Sequence, residues 1–478
     1  MRRALVTALA AFAAVPATVA AQVTSPPPLA AAPALTMPTV RRFALPNGLK
    51  VQVVERHEVP LVQAVLVVTG GARLDGDRPG LASFTGGMLD EGAAGRDAFA
   101  LANELEYLGA MLSSGASWDA VSVDASAPTR TFPKTRGLMA DVVLRPTFAS
   151  TDVRRQRDLR LAGLLQARDQ PEAVAGLVFG RVVYPATHPY HRSLIGDSAS
   201  TASLDSAVVR DFWARAADPK RATLYLVGDI TPATARKLAA GAFGKWKSPA
   251  KPLPLAPASA VPAAPRPATH VVLVDKPGAA QSVITIGAPG VERTDPDYHA
   301  ITLLNTLLGG SFSARLNDIL REQRGYTYGA RSSFSWRPVP GPFTAGASVR
   351  TDVTDSSLAI FFREFERVRT EPVPEAELER ARQYLVLGAL GEFEMNAQVA
   401  GALTGVDLFG LPLSSIPADL EAMKRLGAAD VQRAAGKHLD PRHLTVVVVG
   451  DVAKIRPGIE ALGLGPIEVR DVDGKPVP

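Results

Sequence analysis

The chain has no cysteine among its 478 residues. That excludes a disulfide framework, a thiolate nucleophile, a cysteine-based zinc cluster and a lipid-modified cysteine. Histidine is scarce, with seven residues at 57, 188, 191, 270, 299, 438 and 443. None of them stands in H-x-x-x-H or H-x-x-E-H spacing. His188 and His191 are close in sequence, but Pro189 between them breaks a helix, and the segment reads as a structural or surface turn rather than a ligand pair. His57, beside Glu58, reads as an exposed hairpin residue. No G-x-S-x-G elbow and no G-x-x-x-x-G-K-[ST] phosphate loop occurs. Gly436-Lys437 lacks the upstream glycine, and Gly309-Gly310 lies in no G-x-G-x-x-G frame. A self-contained active site has little support.

Basic runs and aromatic-basic interleaving are also missing. The formal charge of +5 comes from 52 basic and 47 acidic residues spread along the chain, so a nucleic-acid surface is not implied. No apolar run of about 18 residues, the length that spans a bilayer, occurs after the N-terminus. The N-terminus itself has Arg2 and Arg3, an apolar stretch from Ala4 to about Val15, and small residues at Val19-Ala20-Ala21. This is the order of a cleaved secretory signal over residues 1–21, giving a mature chain that starts near Gln22 and, in a bacterium, resides in the periplasm. Without Arg2 and Arg3 the balance is 50 basic to 47 acidic residues, close to neutral.

What is abundant is alanine, glycine and proline, and proline marks the organisation. Residues 22–40 read as a Pro/Ala tether. Residues 249–268 carry prolines at 249, 252, 254, 257, 262, 265 and 267 and read as a semi-rigid linker. On either side lie segments of similar pattern, 41–248 and 269–478. Leu49 to Glu55 corresponds to His270 to Lys276, each an opening strand. Ala222 to Ile230 corresponds to Leu444 to Val452, each a buried strand ending in Gly-Asp, 222 residues apart when Asp229 is set on Asp451. Pro146 to Leu164 and Pro372 to Leu390 both read as proline, an acidic first turn and a long amphipathic helix. A repeat this long is a duplicated domain rather than a solenoid unit. The expected fold is α+β: two tandem homologous domains, each a sheet with helices mainly on one face.

One stretch carries more than packing. Taken alone, Gly80-Leu81-Ala82-Ser83-Phe84-Thr85-Gly86-Gly87-Met88-Leu89 reads as a small-residue segment packed closely against a neighbour. Its frame resembles G-L-A-H-F-x-E-H-M-L of the pitrilysin and mitochondrial processing peptidase family, an inverted H-x-x-E-H zinc motif. In that motif two histidines bind Zn²⁺ and the glutamate serves as base for the attacking water. Here the three positions are Ser83, Gly86 and Gly87. The family's third ligand, a glutamate on a later helix, falls by the charge pattern of Val153 to Leu164 on Gly163. No carboxylate lies between Asp158 and Asp169 to replace it. The resemblance therefore implies a chain that binds no metal.

The second half keeps a different signature. Leu308-Gly309-Gly310-Ser311-Phe312-Ser313-Ala314-Arg315-Leu316 leads into Leu320-Arg321-Glu322-Gln323-Arg324-Gly325-Tyr326-Thr327-Tyr328-Gly329. This looks like the family's C-terminal-domain signature, in which an arginine and a tyrosine seven residues later project toward the zinc site of the facing domain. The pair falls on Arg321 and Tyr328, and a guanidinium and a phenol are donors suited to a carbonyl becoming an oxyanion. From spacing alone, both also read as a solvated helix charge and a packed strand residue.

The resemblance covers nearly the whole of residues 41–478. It implies a non-catalytic subunit of a heterodimeric zinc peptidase, with zinc and an intact H-x-x-E-H in a partner chain and peptides as substrate. In the family's smaller members, four such halves from two chains form a clam-shaped chamber. Only Gly309-Gly310 precedes Ser311, without the longer glycine-rich loop of the α-type mitochondrial subunit, so presequence recognition is not implied. The alternative is a structural or peptide-binding scaffold that keeps the fold and takes no part in proteolysis. An active metallopeptidase with an unrecognised site is the least supported reading.

Overall fold

A computed structural model describes residues 35–255 and 267–477. The signal at 1–21, most of the tether at 22–40 and the middle of the linker at 249–268 lie outside the described residues.

In the first half, strands β1 (Val40–Ala44), β2 (Lys50–Glu55), β3 (Leu61–Thr69), β4 (Met111–Ala116), β5 (Ala120–Pro128) and β6 (Ala222–Gly228) form one sheet in the order β1-β2-β6-β3-β5-β4. Its main helices are α1 (Leu81–Gly86), α2 (Phe132–Leu144), α3 (Ser150–Ala167), α4 (Pro171–Val183), α5 (Ser206–Ala216) and α6 (Pro232–Phe243). The second half repeats the plan. Strands β7 (His270–Asp275), β8 (Gln281–Pro289), β9 (Thr327–Phe334), β10 (Pro342–Arg350), β11 (Thr445–Gly450) and β12 (Ile467–Arg470) lie in the order β12-β7-β11-β8-β10-β9. Its main helices are α7 (Tyr298–Asn305), α8 (Thr354–Thr370), α9 (Glu375–Gly391), α10 (Asn396–Leu408), α11 (Ala428–His438) and α12 (Val452–Ala461). In both halves the opening strand pairs in parallel with the Gly-Asp strand, β2 with β6 and β7 with β11. The edge next to the opening strand differs: β1 is antiparallel and precedes its neighbour, whereas β12 is parallel and comes from the C-terminus.

Each sheet buries one face under its own helices. Phe132, Leu138, Met139 and Val142 of α2 join one core, and Leu358, Phe361, Phe365 and Val368 of α8 join the other. The other face is covered by the opposite half. Val174, Ala175, Val178 and Phe179 of α4 pack on Val272, Val274, Val447 and Val449 of the second sheet. Val399, Ala400, Leu403 and Val406 of α10 pack on Val54, Val65, Val67 and Val227 of the first. Asp407, near the end of α10, accepts hydrogen bonds from Gln52 and, at 2.7 Å, from the Tyr225 hydroxyl. Burial is the main cause that raises the Tyr225 pKa, so the phenol stays a donor. This reciprocal exchange explains why β6 and β11 are apolar on successive residues, since both their faces are covered. The more lateral β5 and β10 alternate buried and half-open positions because only one face is sealed.

Two expectations need correction. β2 and β3 do not form a hairpin, because β6 lies between them. His57 therefore sits in a connection crossing the end of β6, where Asp229 at 2.6 Å and Glu55 at 2.9 Å bond its two ring nitrogens. The helix expected over Pro146 to Leu164 exists as α3, but it is not amphipathic, since Val153 is its one buried residue.

Candidate functional site

The degenerate motif lies on α1, a helix of six residues packed against β4. Gly80 starts it with φ near +86°, and a Cβ there would lie 2.5 Å from the Ile195 carbonyl oxygen, so glycine is required. The helix start is capped from Asp75, whose carboxylate accepts from Gly80 N at 2.8 Å and Ala82 N at 2.7 Å. Burial pushes the Asp75 pKa up to about 6, against the pull of those two amides and of Arg192 and Arg160.

The four positions where the family carries ligands and base behave differently. The Ser83 hydroxyl meets Arg160 Nη2 at 3.4 Å. Gly86 is pinned: a Cβ would lie 2.7 Å from the Gly115 carbonyl carbon, and the Gly86 carbonyl accepts from Ser114 Oγ at 2.7 Å. Any side chain at 86, a glutamate included, needs β4 to move. Gly87 and Gly163 have room, since a Cβ at 87 would make ordinary contacts and one at 163 would meet nothing within 4 Å. Arg160 was not foreseen from the sequence. It reaches from α3 across α1, donating to the Gly80 carbonyl at 3.2 Å, with its guanidinium 5.0 Å from the Phe84 ring centroid. Burial lowers its pKa, yet a guanidinium remains a cation at any working pH. One hydroxyl, three glycines and a resident cation do not fit Zn²⁺, which needs electron-pair donors.

The histidine pair is engaged elsewhere. His188 is buried, stacked 4.3 Å from the Tyr184 ring, and its Nδ1 accepts from Tyr190 N at 3.1 Å. His191 bonds the Tyr184 carbonyl through Nδ1 at 2.8 Å. Among the described residues, Asp295, Asp297 and His438 also bring ligand-type atoms together. Asp297 is already bonded to Arg433, to Lys437 at 2.8 Å and to His438 at 2.9 Å, which makes this an ion-pair clamp between α7 and α11.

Arg321 and Tyr328 stand on a built frame. Gly309 backs onto β9, where a Cβ would lie 2.4 Å from Ser332 N. The buried Asn317 donates to the Phe312 carbonyl at 2.7 Å and accepts from Ala330 N at 3.2 Å, so one amide ties the Phe312 loop to β9. Between them the Arg321 guanidinium lies 4.6 Å from the Phe312 ring centroid. The register of β9 on β10 shifts between Thr327 and Ala330, and Thr327 Oγ1 closes this irregularity on Gly329 N at 3.1 Å and Ser348 O at 2.7 Å. Such a bulge re-aims a side chain. Tyr328 is 92% exposed and Phe312 69%. Asn317 and Phe312 were not singled out from the sequence, because an Asn and a Phe inside a helix-turn segment carry no spacing signal of their own.

Residues 203–385 match the family described as Peptidase M16 inactive domain, and residues 50–188 match Insulinase (Peptidase family M16). An uncharacterized zinc protease of Mycobacterium tuberculosis is 25% identical over 86% of this chain and 93% of its own length. The mitochondrial-processing peptidase subunit beta of Lentinula edodes is 22% identical over 85% of this chain and 89% of its own. Among solved structures, the peptidase M16 inactive domain from Pseudomonas fluorescens superposes with a TM-score of 0.77 at 29% identity, covering 86% of this chain and 98% of that one. A protease from Helicobacter pylori gives 0.78 at 17% identity, covering 87% of this chain and all of that one, which bears on the fold alone. With two matched regions that span both halves, the shared fold and a zinc motif emptied at every position, the chain belongs to the M16 peptidase family as a non-catalytic member.

Proposed function

We infer that this chain is the non-catalytic subunit of a heterodimeric periplasmic zinc peptidase. A partner chain with an intact H-x-x-E-H motif would hold the zinc, which supplies Lewis-acid activation of water and of the peptide carbonyl. This chain would close the chamber and present Arg321 and Tyr328 to that carbonyl as it gains negative charge. Their donors would then be stronger in the transition state than in the ground state, the condition for raising turnover. The observation that supports the reading is an asymmetry of upkeep. The zinc positions of the first half are vacated and partly filled by Arg160, whereas Tyr328 and Phe312 are held exposed on a frame of buried contacts through Asn317 and Gly309. A large exposed aromatic with such support suits contact with something outside the chain.

The test is assembly. Mixed with an M16 chain carrying intact H-x-x-E-H from the same organism, this protein should form a one-to-one complex by light scattering, with peptide hydrolysis well above that of either chain alone. An interface of more than about 2,000 Å² is expected for a lasting complex. Two chains that stay apart, with the zinc-bearing one fully active alone, would overturn the assignment in favour of a scaffold.

A further inference from the structure

A cavity of about 630 Å³ opens at the seam between the halves, walled by α4, the loop after it, the turn before α1 and the C-terminal segment. Four cations line it: Arg470 at the end of β12, which is paired with Glu468, and three that converge from separate elements, Arg181 on α4, Arg192 in the following loop and Lys475 near the C-terminus. Among the described residues none of the three forms an ion pair with a carboxylate within 4.0 Å. Arg181 donates instead to the main-chain carbonyl of Asp473, and Arg192 to that of Gly76 at 3.0 Å. A carbonyl orients a guanidinium without cancelling its charge. Of the three rim carboxylates one is neutralised by a cation outside the cavity. Asp473 pairs with Arg168 at 3.0 Å, and Asp197 caps the short helix Ser198–Ala202 at Ser200 N at 2.7 Å but keeps its charge, so Asp77 and Asp197 are the opposing charges in the wall. Arg192 also lies near enough to Asp75 to favour its ionised form.

We propose that this seam cavity binds a multivalent phosphate group, free or carried on an organic molecule. Two planar guanidinium forks and one ammonium arriving from different directions suit a tetrahedral anion with several charged oxygens better than a single carboxylate, which two of them would saturate. Leu177 and Pro79 add apolar surface beside the cations for a carried body. Bound there, the anion would join the C-terminal segment of the second half to two loops of the first. The site is independent of any proteolytic role and is testable on this chain alone.

Titration calorimetry of the full chain with tripolyphosphate and with adenosine diphosphate, in buffer of matched ionic strength, reads the site directly. Saturable one-to-one binding is expected, accompanied by a rise in melting temperature that sodium chloride at equal ionic strength does not produce. Tighter binding of the nucleotide assigns a carried phosphate, and tighter tripolyphosphate a free one. Arg192→Gln combined with Lys475→Gln, two exposed positions, should keep the unliganded melting temperature and weaken binding at least about tenfold, the worth of one charge-assisted bond. No saturable binding of either probe by the wild type, or equal affinity in the double variant, overturns the proposal.

Discussion

Ser83 and Gly86 show two ways of losing a metal site. At 83 the side chain has changed and a cation has moved beside it; at 86 the space itself has closed. Restoring the motif by Ser83→His, Gly86→Glu and Gly87→His should therefore fail to restore zinc. A Cβ introduced at position 86 would force β4 away at a cost of about 1 to 3 kcal/mol, and Arg160 would repel the incoming ion. Metal analysis with thermal unfolding checks this, and one tightly held zinc per triple-variant chain would contradict it. Tyr328→Phe removes a single donor from an exposed ring. In the reconstituted complex it should lower kcat about 10²-fold, close to 3 kcal/mol of transition-state stabilisation, with KM and complex mass little changed. Wild-type turnover would leave the tyrosine without the proposed role. At this scale the sequence showed what was missing more readily than what had replaced it. Glycine at 86 announces a lost catalytic base, but its closeness to Gly115 depends on a strand 29 residues later. Arg160 is one of several charges in α3, and a charge pattern does not say which of them reaches α1.

At the scale of elements, α7 and α11 are joined by the Asp297 clamp. Its hydrogen bonds from Arg433, Lys437 and His438 hold the carboxyl well below the usual carboxylate range. A folded-state pKa depressed in this way adds stability above the unfolded value near 3.9, and that stability is lost as pH falls through and below it. Asp297→Asn should cost about 2 kcal/mol at neutral pH, discounted because Arg433 and Lys437 are half exposed. The difference from wild type should shrink as pH drops below 4. Urea unfolding at several pH values measures it, and a difference independent of pH would disprove the clamp. Elements with a strong local signal were legible: the opening strands, both Gly-Asp strands and both proline-started helices are where their patterns put them. The face each helix covers was not. The valines of α4 and α10 give the period of a packed helix without saying which sheet receives them.

Across the whole molecule, the exchange of α4 and α10 makes the two halves hold each other. A specific protease site placed between Pro257 and Pro265 and then cut should yield two fragments that still migrate as one particle, because two apolar helix–sheet interfaces remain. Gel filtration under native conditions, followed by denaturing electrophoresis, decides it. Separation without denaturant would mean that the exchanged helices contribute little. Leu403→Ala within α10, at a cost of about 2 to 5 kcal/mol, should favour dissociation of the cut form more than it affects the intact chain.

The same exchange sets a timetable for synthesis. The last strand of the first sheet ends at Gly228, but the helix that covers its second face starts at Asn396. At about 5 to 20 residues per second, the intervening stretch takes on the order of 10 to 30 s to emerge. For that interval Val54, Val65, Val67 and Val227 form an uncovered apolar strip on an otherwise finished sheet. The nascent first half is thus a natural client for a holding chaperone, and its release is timed by the arrival of a single helix.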